Sequence, residues 1–139
     1  MKKKICIFIT FLLIFCTNLT KANELNRAYQ ALEKGDYKTA IYFLSYYANI
    51  GNAKAQNNYA IMLKKGLGTK KDPNEAFKWF FISAEQGNML ANYALGNMYY
   101  IGEGVKKNYK LSFESYLKAA LSGHPTSKIN LGNQYFHGH

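Results

Sequence analysis

Apolar residues mark one helical face twice over, at the same spacing. Ala55, Tyr59, Met62 and Leu63 sit at i, i+4, i+7 and i+8, and Ala91, Leu95, Met98 and Tyr99 repeat the pattern. Gly66 and Gly102 stand where each helix would end, because glycine tolerates the left-handed cap. A short loop and a second helix are expected next. Asp72 is a candidate N-cap and Pro73 fits the first helical position; Asn108 takes the Asp72 place in the second copy. Ala76, Trp79, Phe80 and Ala84 mark the buried face of this second helix. Ser112, Ser115, Tyr116, Ala119 and Ala120 are its weaker counterpart, and Gly87 and Gly123 end the two helices.

The two helix pairs are copies of one unit, residues 53–88 and 89–124. The same small types recur in register: Ala60 and Gly96, Ala84 and Ala120, Gly68 and Gly104. A fixed period of this length predicts stacked units, each burying its apolar face on its neighbour. The small residues let antiparallel helices approach, and Trp79, Phe80 or Tyr116 fills the adjoining hole. Trp79 is therefore expected in the core. Residues 39–52 align with 75–88, which extends the pattern to an opening unit over 23–52, with a first helix near Glu24 to Lys34 and a tight Gly35-Asp36-Tyr37 turn. The stretch 125–139 supplies only the first half of a further unit: Leu131, Gly132, Tyr135 and Gly138 match Leu95, Gly96, Tyr99 and Gly102. The fold class is all-α, a solenoid of antiparallel helix pairs.

Residues 1–22 follow a different logic. Lys2, Lys3 and Lys4 precede an apolar run from Ile5 to Phe15, and Thr20-Lys21-Ala22 puts small residues where a signal peptidase reads. This is the pattern of a secretory signal peptide, with cleavage expected after Ala22. The run is too short for a spanning helix, which needs about 20 residues. An uncleaved anchor is the other reading. A lipoprotein is a weaker one, since the bulky Phe15 before Cys16 departs from the lipobox. Both cysteines, Cys6 and Cys16, leave with the signal, so the mature chain can form no disulfide and has no thiol nucleophile. Four lysines leave too, which lowers the formal charge of +10 without reversing it. What remains is enough for one small domain, exported to the periplasm or secreted. Abundant Asn, Lys, Ile and Tyr with only 2 Pro fit an AT-rich bacterial genome.

The segments ALGNMYYIGEGV and LKAALSG, and most of FKWFFISAEQG, resemble the Sel-one-like repeat family, a branch of the tetratricopeptide-type α/α repeats. The opening unit, with Gly35-Asp36-Tyr37 and Ala40, is more similar to a plain tetratricopeptide repeat. The resemblance covers essentially all of the mature chain. It implies adaptor or scaffold roles in assembling complexes and, in bacteria, exported factors in envelope or host-interaction processes. Two departures stand out. Some exported relatives are cysteine-rich and disulfide-bonded, and final repeats are normally capped.

The resemblance also implies a groove lined by the first helix of each unit. By register that face carries Lys54, Asn57, Ile61 and Lys64, then Tyr93, Asn97 and Tyr100, then Ile129, Asn133 and Phe136. Asparagines there can bond a peptide backbone, and the aromatics can cover apolar side chains. A protein or peptide is the expected partner. Lys70-Lys71 and Lys106-Lys107 recur in register and would form a basic ridge, suited to an anionic envelope component or simply to solubility. Nucleic acid is not an expected partner of an exported chain. The half-unit at the end would favour self-association.

No constellation for catalysis emerges. The loops GLGTKKD and GEGVKKN lack the Gly-Lys-Ser/Thr of a phosphate-binding loop and follow no strand, so their glycines are read as structural. The imidazoles are His124, His137 and His139, and two ligands in a His-Gly-His tail rarely make a metal site. The acids form no signature pair and no G-x-S-x-G occurs. No cofactor, metal or catalytic residue is expected. The rival readings are a truncated or subunit-completing repeat fragment and, further off, a cell-wall-directed enzyme.

Overall fold

The computed structural model describes residues 23–136. The signal peptide with its cleavage point, and the His137 to His139 tail, lie outside the described residues. Helix α1 covers residues 23–33. It is followed by α2 (Tyr37–Asn49), α3 (Ala53–Lys65), α4 (Pro73–Glu85), α5 (Met89–Ile101), α6 (Tyr109–Leu121) and α7 (Pro125–Phe136). Among the described residues there is no strand. From α2 onward, helices pack chiefly on their chain neighbours: α3 on α4 and α5 on α6 within units, and α2 on α3, α4 on α5 and α6 on α7 between them. The protein is an all-α repeat solenoid.

One residue makes each junction between units. Asn88 donates its N–H to Ser83 O (3.2 Å) and closes α4, while its Oδ1 accepts from Ala91 N (3.2 Å) and opens α5. Asn52 does the same between α2 and α3, with Tyr47 O (3.0 Å) and Ala55 N (2.8 Å). His124 takes the role between α6 and α7: its N–H reaches Ala119 O (2.9 Å), and its Nδ1 accepts from Ser127 N (3.2 Å). These paired bonds satisfy orphan carbonyls of one helix and orphan N–H groups of the next. Helices α4 and α6 run to Glu85 and Leu121 with Gln86 and Ser122 as C-caps, and the glycines that follow, Gly87 and Gly123, take the left-handed conformation with φ of 82° and 95°.

Within a unit the two helices are joined by a pinned loop. Asp72 and Asn108 cap α4 and α6 through Glu75 N (2.9 Å) and Leu111 N (3.0 Å). Gly68 and Gly104 have φ of 70° and 72°, and a Cβ at either would collide with backbone of the preceding unit, at Tyr37 O and Pro73 O. Only glycine combines that conformation with that approach. The loops are clamped between units.

Two clusters form the core. One gathers Leu44 and Tyr47 with Ala28, Ala40, Ala55 and Met62; the other gathers Phe80 with Leu63, Leu95 and Met98. Trp79 is half-buried and packs against the second cluster, its ring edge-on to Tyr59 at 5.5 Å. The aromatic at the centre of α4 is instead Phe80, 1% exposed. The following unit repeats that choice with Tyr116 at 3%. Towards the C-terminal end the buried positions turn polar: Ser112, Ser115, Ser127 and Gln134.

Candidate protein-binding groove

Helices α3, α5 and α7 carry the groove positions, and the structure gathers many of them around two cavities. The first, of about 250 Å³, lies between α3 and α5. Asn57, Ile61, Lys64 and Lys65 line it from α3, Leu90, Tyr93, Ala94 and Asn97 from α5, and Phe80 from α4. The second, of about 230 Å³, is lined by Asn97 and Tyr100 of α5, Tyr116 of α6, and Asn130, Asn133 and Gln134 of α7. Asn97 borders both, so they form one trough. Lys54, Ile129 and Phe136 line neither cavity. The Lys54 ammonium sits 4.7 Å from the Tyr29 ring centre, and Ile129 and Phe136 are exposed.

Hydrogen bonds hold the trough in shape. Tyr116 donates its hydroxyl to Asn97 Oδ1 at 2.7 Å. Burial pushes that phenol above its ordinary pKa, which keeps it a donor. Tyr93 stacks on His124, centroids 4.2 Å apart, so the residue capping α7 also props a groove side chain. Tyr100 meets Tyr109 edge-on at 5.4 Å. Asn57, expected on the groove surface, is only 2% exposed, and among the described residues its Oδ1 has no hydrogen-bond donor. Gln134 Oε1 is in the same condition. A buried acceptor left without a donor costs about 1–3 kcal/mol.

Leu90, Lys65, Tyr116, Asn130 and Gln134 were not among the expected groove residues. For Gln134 a signal existed: it stands where Met62 and Met98 stand in the two full units. Tyr116 was assigned to the helix seam, and it serves both seam and groove.

The basic ridge is partly neutralised. Lys70, Lys71, Lys106 and Lys107 are all exposed. Glu103 of the following unit lies between Lys64 (3.2 Å) and Lys71 (3.3 Å). Partial burial raises the Glu103 pKa, but the two ammoniums outweigh it and hold the carboxyl below its ordinary value. Lys107 lies 5.7 Å from the centre of the Tyr109 ring. Among the described residues no three His, Cys, Asp or Glu side chains group as metal ligands, and no helix is long and apolar enough to cross a membrane.

The Sel1 repeat profile matches residues 53–88 and 90–124, about half of the chain. The chain belongs to the Sel1 repeat family. A sel1-like repeat-containing protein of Acanthamoeba polyphaga mimivirus is 44% identical over 46 residues, which is 33% of this chain and 9% of that protein. Two solved structures superpose closely. One is c5321 of uropathogenic Escherichia coli, described as a protective antigen with the same fold (TM-score 0.81, 31% identity, 85% of this chain and 26% of that one). The other is a Sel1 repeat protein of Oxalobacter formigenes (TM-score 0.78, 29% identity, 82% of this chain and 47% of that one). Helicobacter pylori cysteine-rich protein B shares the fold at 17% identity and TM-score 0.65. This Sel1 repeat chain thus spans less than half the length of the first relatives it matches. Sel1 repeat proteins are in general non-catalytic scaffolds for protein interaction.

Proposed function

We propose that this Sel1 repeat chain is an exported bacterial adaptor that holds a segment of a partner protein in the trough between α3, α5 and α7. The observation that carries this reading is the first cavity. Ile61, Leu90 and Ala94 offer apolar surface there, and Lys64, Tyr93 and Asn97 border it with polar groups. A peptide provides both complements, apolar side chains and backbone N–H groups. Export rests on the N-terminal sequence pattern. An envelope or host-facing process is consistent with that location.

Affinity capture from envelope extract tests the reading, with wild type beside the paired substitution Asn97→Ala and Tyr100→Ala. The pair is expected to lose a partner that wild type retains, at unchanged helical circular dichroism. Equal recovery by both would place the binding surface elsewhere, on the Lys70, Lys71, Lys106 and Lys107 ridge first.

A second reading, self-association through α7, has its own observation. A Cβ at Gly96 would lie 2.5 Å from the Tyr116 ring, whereas among the described residues nothing lies within 4 Å of one at the matching Gly132. Tyr135 and Phe136 beside it are 83% and 86% exposed. Sedimentation across a range of concentrations tests it, and a constant monomer would end it.

A further inference from the structure

The chain has 8 acids, and none lies on α3, α5 or α7, the helices that carry the trough. Those helices carry Lys54, Lys64, Lys65 and Lys128 instead. Lys64 and Lys65 close α3 and line the first cavity beside Ile61 and Leu90. The loop that follows brings Lys71 back to the same place: a Cβ at Gly66, the C-cap of α3, would lie 3.2 Å from the Lys71 Cβ. Lys107 returns in the same way, 3.2 Å from a Cβ at Gly102, the C-cap of α5. Its ammonium lies 5.7 Å from the centre of the Tyr109 ring, and Tyr109 meets Tyr100, which lines the second cavity. The lysine ridge therefore runs along one edge of the trough, at the C-terminal ends of α3 and α5.

One carboxylate answers these charges from inside the chain. Glu103 lies 3.2 Å from Lys64 and 3.3 Å from Lys71. Two ammoniums on one carboxylate leave a positive balance, and among the described residues no acid pairs with Lys65 or Lys107. Lysines in a last turn suit the helix dipole, which accounts for where Lys64 and Lys65 stand. It does not account for the missing acids: a helix N-terminus favours them, yet the first turns of α3, α5 and α7 have none. A basic segment would be repelled along this edge. A polyanion would find cations at the edge alone, since no residue lining the second cavity is charged at neutral pH. A peptide can place a carboxylate at the edge and an apolar side chain between Ile61 and Leu90 at once. We infer that the segment held in the trough is acidic, with an Asp or Glu at the Lys65 and Lys71 edge beside an apolar residue in the first cavity. The inference rests on the groove reading above and deepens it. Glu103 is then an internal competitor for the same lysines.

Selection of short random peptides on the purified protein tests this, with affinities then measured for the recovered sequences. The expected binders carry Asp or Glu next to an apolar residue. Changing that acid to Asn or Gln should weaken binding about two- to fivefold, the range of an exposed ion pair. Lys65→Gln should do the same, and the two changes together should cost little more than either alone. Salt raised from about 50 mM to about 500 mM should also weaken binding. Glu103→Gln gives the sharpest reading. It removes a stabilising bridge, yet it frees Lys64 and Lys71 and should tighten the acidic peptide by a similar factor. Unchanged or weaker binding by that variant would place the acid away from this edge and overturn the inference. Neutral or basic binders that ignore salt and Lys65→Gln, but are released by Asn97→Ala with Tyr100→Ala, would also overturn it and leave the groove reading standing. Acidic binders indifferent to that pair, or polyphosphate bound as tightly as they are, would overturn it in favour of a polyanion on the ridge. Recovery of no binder would remove both readings.

Discussion

The ring of Tyr116 fills the space that a side chain at residue 96 would need, since a Cβ built on Gly96 comes within 2.5 Å of it. Ser112 tightens the same contact by donating its hydroxyl to Gly96 O at 2.8 Å. Helices α5 and α6 therefore approach as closely as they do because residue 96 has no side chain.

Gly96→Ala should destabilise the protein by about 1–3 kcal/mol, because the methyl overpacks a filled site and outweighs the gain in helix propensity. Gly132→Ala should do the opposite. It sits in a helix where no described residue comes within 4 Å of an added Cβ, and removing glycine there should stabilise α7 by about 0.5–1 kcal/mol. Denaturant melts of the two variants check the contrast, and the same sign for both would contradict it.

Burial ranks the two aromatics of α4. Phe80→Ala removes a side chain that is 1% exposed and should cost about 3–5 kcal/mol. Trp79→Ala, at a half-buried position, should cost distinctly less despite the larger ring. Equilibrium unfolding of the pair decides the order.

Much of the architecture was legible in the chain because its signals are local and recur. Asp72 and Asn108 cap helices in copies of one unit, and Gly68 and Gly104 return in register. Pairs of neighbouring residues were harder. Trp79 and Phe80 are one position apart, and periodicity alone does not say which of two adjacent aromatics faces the seam. Asn57 sat on the right face, but its depth depends on how closely α3 and α5 approach. The bridge from Glu103 to Lys64 and Lys71 joins residues of different units, and it appears only once the loops are laid side by side. His124 stands at the register position of Asn52 and Asn88, but the register alone does not mark it as a cap, because histidine rarely plays that part.

Glu103 sets an acid dependence. Its folded pKa lies below the unfolded value, so its contribution is fully present above the ordinary carboxylate range. It is lost as pH falls through the lowered folded value. Glu103→Gln should therefore melt earlier than wild type at neutral pH, and the two curves should converge in acid. Thermal midpoints measured from neutral to acid pH give the comparison, and a constant gap would exclude the bridge as its source.

His124 anchors the last helix. His124→Asn keeps an acceptor for Ser127 N and should preserve protection of residues 126–136 against hydrogen exchange. His124→Ala removes the acceptor and the stack on Tyr93, and should lower that protection by about 1 kcal/mol or somewhat more. Residues 53–124 should stay protected in both, since units of a repeat array open in part independently.

Asn52, Asn88 and His124 each finish one helix with their N–H and start the next with their side chain, so the junctions have no slack. A single inserted or deleted residue there would turn every later unit about its axis and break up the trough. Length change in such a chain is therefore channelled into duplication or loss of a complete unit, which preserves every junction. Each duplication extends the trough by one helix width. The repeat array is thereby a ruler with a fixed graduation, and on the proposed groove reading the stretch of partner held grows in steps of one unit.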